Sequence, residues 1–143
     1  MNRVLLIFAA LCAMTVGAFA QCSSFPCVVA TTSVTKQTHG IERTTVFTPT
    51  TDGMFRITAY LTVTKAVPND GSAGEWFVSF RWNDGLRENA WITGTGSAGT
   101  NAGNASTIVA HSIAGVPIEY RTSILGLIDG MKYDLFIVVE QLQ

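Results

Sequence analysis

Histidine occurs only twice in 143 residues, at His39 and His111, and cysteine only three times. A His-rich metal centre is excluded, and a catalytic triad would have to recruit one of those two rings. His39 sits beside Gly40 in a turn-like stretch, and His111 shares a face with Val109 and Ile113, so both read as ordinary turn or strand residues. No serine lies in a G-x-S-x-G elbow. Charge is scarce as well: 13% of residues are Asp, Glu, Lys or Arg, without a basic cluster. That removes the electrostatic footprint expected of a chain whose main partner is nucleic acid or an anionic membrane. Helix formers are thin throughout, and after the first twenty residues no apolar run approaches the roughly 20 needed to cross a bilayer as a helix. Catalytic, metal and cofactor signatures are all missing, and the expectation is a non-enzymatic protein without a cofactor.

The first twenty residues stand apart. Asn2-Arg3 is a short positive start, Val4 to Val16 is almost wholly apolar, and Ala18-Phe19-Ala20 has the A-x-A form of a cleavage site. Residues 1–20 are expected to be a secretory signal peptide, giving a chain that is secreted, extracellular or periplasmic and not inserted in the membrane. A lipid anchor on Cys22 does not fit, because Gln21 stands where a small residue would be needed. Loss of the leader removes Cys12 and Arg3, leaving eight Lys and Arg against ten Asp and Glu, a formal charge of −2. The remaining cysteines, Cys22 and Cys27, are an even pair in an oxidising compartment, and a disulfide within an N-terminal segment 21–27 is expected. Their C-x-x-x-x-C spacing is wrong for thioredoxin-like chemistry.

Residues 28–143 suit one domain of strands and turns. The clearest strand is 54–64, where Phe55, Ile57, Ala59, Leu61 and Val63 alternate with Arg56, Thr58, Tyr60, Thr62 and Thr64. Burying its four large apolar side chains yields roughly 6–12 kcal/mol. Ordering eleven backbones costs on the order of 11–22 kcal/mol, so this strand needs partners. Val28 to Thr35 and Ile41 to Thr48 are rich in Val, Ile and Thr, and 75–83 places Trp76, Val78, Phe80 and Trp82 on one face. Pro68-Asn69-Asp70-Gly71 and Asn83-Asp84-Gly85 are turn signals. The last strand, 133–142, is apolar on both sides: Tyr133, Leu135, Ile137 and Val139 on one, Phe136 and Val138 on the other. Seven or eight short strands without a helix describe an all-β antiparallel sandwich. An outer-membrane barrel fits poorly, since a doubly apolar strand does not alternate between lipid and lumen.

Gly94-Thr95-Gly96-Ser97-Ala98-Gly99 matches G-x-G-x-x-G, but the following Thr100 to Asn104 cannot open the helix that a dinucleotide site requires. The whole 94–104 segment reads instead as an exposed mobile loop. Trp76 and Trp82 fall to the core face, whereas Trp91 lies out of phase with Ala90 and Ile92 before that loop, and is the candidate ligand contact for a carbohydrate or small molecule. Glu119 and Arg121 share a face within reach of each other, a pairing that is usually only a modest surface contact. Asn104-Ala105-Ser106 has the form of a glycosylation acceptor.

Phe47-Thr48-Pro49 followed by Asp52-Gly53-Met54-Phe55-Arg56-Ile57-Thr58-Ala59-Tyr60 resembles the segment of complement-type and tumour-necrosis-factor-type jelly rolls in which an aromatic and a proline precede a Gly-aromatic strand. Similar strands occur in phage and bacterial surface β-domains. The resemblance implies a jelly roll that forms a homo-oligomer, a trimer being favoured, through one sheet face. On that reading Tyr60, Phe136 and Val138 belong to the interface, and the partner is a second copy, another protein or a carbohydrate.

Overall fold

The computed structural model describes residues 24–67, 74–126 and 130–143. Residues 1–20, read above as a leader, and Cys22 and Asp70 lie outside the described residues. Eight strands run in order: β1 (Cys27–Gln37), β2 (Thr44–Phe47), β3 (Gly53–Lys65), β4 (Glu75–Asn83), β5 (Glu88–Ser97), β6 (Gly103–Ser112), β7 (Ile118–Leu125) and β8 (Lys132–Gln141). They form two antiparallel four-stranded sheets, β1-β8-β3-β6 and β2-β7-β4-β5. The chain changes sheet at every connection except the β4–β5 hairpin, and that interleaving is the double Greek key of a jelly roll.

The alternation along β3 is what the core is built on. Phe55, Ile57, Ala59, Leu61 and Val63 are all buried, and from the other sheet Trp76, Val78 and Phe80 are buried in the same cluster. Trp82 is only partly buried at its margin. Strand β8 is central in its sheet, and its inner row of Tyr133, Leu135, Ile137 and Val139 is wholly excluded from solvent.

The Gly-rich segment departs from the expected mobile loop. Strand β5 continues through Gly94 and Gly96 to Ser97, and β6 begins at Gly103. A Cβ on Gly96 would overlap the indole of buried Trp76, so glycine here makes room for a tryptophan inside a strand. The short turn between is tied down: Ala98 is buried, its N–H donates to the Gly74 carbonyl at 2.8 Å, and its carbonyl accepts from Val67 N–H at 3.0 Å.

The β4–β5 turn behaves as its Asn-Asp-Gly sequence requires. Asp84 Oδ1 accepts from the backbone N–H groups of Leu86 and Arg87, each at 2.9 Å, and Oδ2 accepts from Asn89 Nδ2 at 2.9 Å. These bonds, led by the Arg87 backbone and the Asn89 side chain, lower the carboxyl pKa to about 2. A depressed pKa contributes order that is present above the ordinary carboxylate value of about 3.9 and is lost as pH falls through the folded value. An NMR titration should therefore find Asp84 titrating near 2, with the Leu86 and Arg87 amides shifting together; a midpoint at about 3.9 or above would contradict the turn geometry.

Ser112, fully buried at the end of β6, has a hydroxyl with no hydrogen-bond partner among the described residues. Removing an unpartnered buried hydroxyl recovers its desolvation cost, so Ser112→Ala should raise the unfolding free energy by about 1 kcal/mol. Denaturant unfolding checks this, and a loss of stability would show that the hydroxyl is bonded.

Candidate functional site

The register of β1-β8-β3-β6 sets out its outer face as rows of cross-strand neighbours. One row reads Val28, Glu140, Arg56, Val109; the next Thr31, Val138, Thr58, Thr107; the next Ser33, Phe136, Tyr60, Ala105. Each residue is here because its sequence neighbours are committed inward, as with Tyr60 between buried Ala59 and Leu61 and Phe136 between buried Leu135 and Ile137.

Tyr60 and Phe136 are directly opposed and stacked, with ring centroids 6.4 Å apart and planes inclined by 29°. Both stay about 40% exposed, so the pair stands proud of the sheet. The Tyr60 ring lies over Gly103 on β6, where a Cβ would overlap it. Val138 adjoins on β8, opposite Thr58, whose hydroxyl is 3.0 Å from that of Thr107. The structure thus brings Tyr60, Phe136 and Val138, the three expected interface residues, onto one surface.

Charge on the three rows is confined to one internally matched pair. Arg56 donates from Nε and Nη2 to the two carboxylate oxygens of Glu140, at 2.7 and 3.0 Å. The bond holds the Glu140 carboxyl below its usual range and raises the Arg56 guanidinium. A bidentate pair of this kind is net neutral and fixed in direction.

The other sheet presents a different outer surface. A shallow pocket of about 330 Å³ is lined by Arg43, Arg81, Trp82, Glu88, Pro117 and Glu119 among others. Arg43 meets Glu119 at 3.7 Å and Arg81 meets Glu88. The Glu119–Arg121 pair does not form: Glu119 turns to Arg43, and Arg121 Nε donates to Ser79 Oγ across the strand at 3.3 Å. Sequence reasoning missed this charged cluster because its members come from four separate segments. Only the strand register brings Arg81 beside Glu119.

Trp91 lies on edge strand β5, is 63% exposed, and is followed by Ile92 at 57%. It is not among the pocket residues; the indole there belongs to Trp82. A register shift opposite Val78 and Ser79 accounts for its departure from simple alternation. His39 Nδ1 lies 2.9 Å from Thr38 Oγ1 and His111 Nδ1 lies 3.3 Å from the Asp84 carbonyl. Among the described residues, no three His, Cys, Asp or Glu side chains converge.

No family model matches this chain, and no curated protein does. Among solved structures, the CBM22-1 and GH10 modules of Clostridium thermocellum endo-1,4-beta-D-xylanase 10B, complexed with xylohexaose, align with a TM-score of 0.41 and 6% identity. The match covers 71% of this chain and 19% of the length of that one, and it carries no argument about ligand or activity.

Proposed function

We propose that this chain is a secreted, non-enzymatic jelly-roll module that self-associates, with a structural or recognition role at a cell or particle surface. The observation that carries the reading is the stacked Tyr60–Phe136 pair beside Val138, on three rows of the sheet face whose charged residues, Arg56 and Glu140, are paired with each other. Copies packed through this surface would desolvate aromatic and methyl groups, whereas the opposite sheet presents two exposed ion pairs, Arg43–Glu119 and Arg81–Glu88, whose desolvation costs more. A trimer is the assembly favoured by the jelly-roll resemblance. The leader-like residues 1–20 support secretion, and there Cys22 and Cys27 would close a small ring at the start of β1. Sedimentation across a range of concentrations tests the reading: a mass above that of the protomer is expected, and a strict monomer would count against it.

A second reading, carbohydrate or small-ligand binding, rests on Trp91, an exposed indole beside Ile92 on an edge strand. Flat exposed indoles serve as stacking platforms for sugar rings. A glycan array, with tryptophan fluorescence compared between wild type and Trp91→Ala, separates this reading from assembly.

A further inference from the structure

Three of the four sheet edges in this sandwich are interrupted. On β1 the register shifts twice against β8, and Lys36 adopts a φ of 56°. Strand β2 has only four residues and a shift of its own. Strand β5 is bulged, and its Thr95 carbonyl accepts from Asn104 Nδ2 at 3.0 Å. Bulges, brevity and side-chain caps of this kind keep edge strands from pairing with other chains. Strand β6 has none of the first two. Its ten residues pair with β3 without a shift, from Gly53 opposite Ser112 to Thr62 opposite Gly103, and they include no Asp, Glu, Lys, Arg or Pro. Beyond its first residues, where Asn104 and Ser106 lie against β5, its free side presents a straight row of alternating N–H and C=O groups.

We propose that β6 pairs edge to edge with β6 of a second copy of this chain, antiparallel about a two-fold axis, to give one continuous eight-stranded sheet. A two-fold contact between identical strands must be antiparallel, and it sets each strand against itself. A charged strand would then oppose like charges, which β6 avoids. Its outward row, Ala105, Thr107 and Val109, is compact and uncharged up to His111 near its end. The joint also extends the Ser33, Phe136, Tyr60, Ala105 row into the neighbouring molecule, setting two aromatic pairs on one broad face. This goes beyond face-to-face association and does not require it, because backbone groups and not Phe136 or Tyr60 make the contact.

Hydrogen exchange of the full chain, followed by mass spectrometry across a hundredfold range of concentration, tests the joint. Amides in 103–112 should exchange about tenfold more slowly at the concentrated end. The double variant Ala105→Lys with Val109→Lys, two exposed positions, should lose that dependence, while Phe136→Glu should keep it. Exchange in 103–112 that does not change with concentration in the wild-type chain overturns the proposal. So does protection that vanishes in Phe136→Glu but survives in the double variant, which would assign the contact to the sheet face.

Discussion

Replacing Thr122 by valine should lower the unfolding free energy by about 2–4 kcal/mol, because one buried hydroxyl links three parts of the sandwich. Thr122 is only 4% exposed, and its Oγ1 accepts from Ile41 N–H at 2.7 Å. The Tyr133 hydroxyl donates to the His39 carbonyl at 2.7 Å, so its proton is committed. The Thr122 hydroxyl must therefore be the donor across the 2.7 Å contact to Tyr133 Oη. Protons consequently run one way, from Ile41 N–H through Thr122 and Tyr133 to His39 C=O, fastening the β1–β2 connection to β7 and β8. Burial pushes the Tyr133 hydroxyl above its usual pKa, only partly offset by the bond from Thr122, and the ring keeps its proton. Valine keeps the shape but leaves the Ile41 N–H without its acceptor and removes a donor from Tyr133. Against a typical total of about 5–15 kcal/mol this is a large fraction, and it should appear as a fall in Tm of roughly 8–15 °C. Thr122→Ser, which keeps the hydroxyl, should recover most of the loss. If valine and serine behave alike, the effect is packing and not the hydrogen-bonded chain.

Different parts of this structure were legible in the sequence to different degrees, and the reasons are physical. Phe55 to Val63 and Trp76 to Phe80 could be assigned to the core because a strand with one buried face prints its period directly on the chain. The same logic put Tyr60 on the outer side of its strand and Phe136 and Val138 together on one side of theirs, while their sharing one surface came only from the resemblance and from the register. The glycines of β5 erased that signal: a strand position filled by the Trp76 ring of its neighbour needs no side chain, and so shows no period. Partners distant in sequence were not legible. Arg56 and Glu140, 84 residues apart, meet only because β3 and β8 are neighbours in that exact register, and Glu119 found Arg43 in place of Arg121 for the same reason. The Thr122 chain lay hidden for a related cause, since no local pattern marks a threonine that turns inward to a tyrosine eleven residues on.

Phe136→Glu should break the contact made through the sheet face while leaving the fold intact. Phe136 lies outside the buried core cluster, so its replacement costs the stack on Tyr60 and leaves the inner packing in place. In a contact through this face the new carboxylate would be desolvated where Arg56 is already held by Glu140, and Asp134, two residues along β8 on the same side, adds like charge. Loss of a central aromatic anchor is worth about 2–4 kcal/mol, which corresponds to association weaker by roughly 30- to 1,000-fold. The unpaired buried charge adds to that in the same direction. Tyr60→Ala should act in the same sense and less strongly, since Phe136 keeps part of the apolar surface.

Sedimentation equilibrium of the wild-type chain and of Phe136→Glu, run side by side at matched thermal stability, tests the claim that this jelly roll assembles through the sheet face bearing Tyr60 and Phe136. The wild type should run as a higher oligomer and the variant should lose the association made through the sheet face, its mass falling to no more than that of a pair joined through β6. Two identical profiles, whether both monomeric or both equally associated, would contradict it.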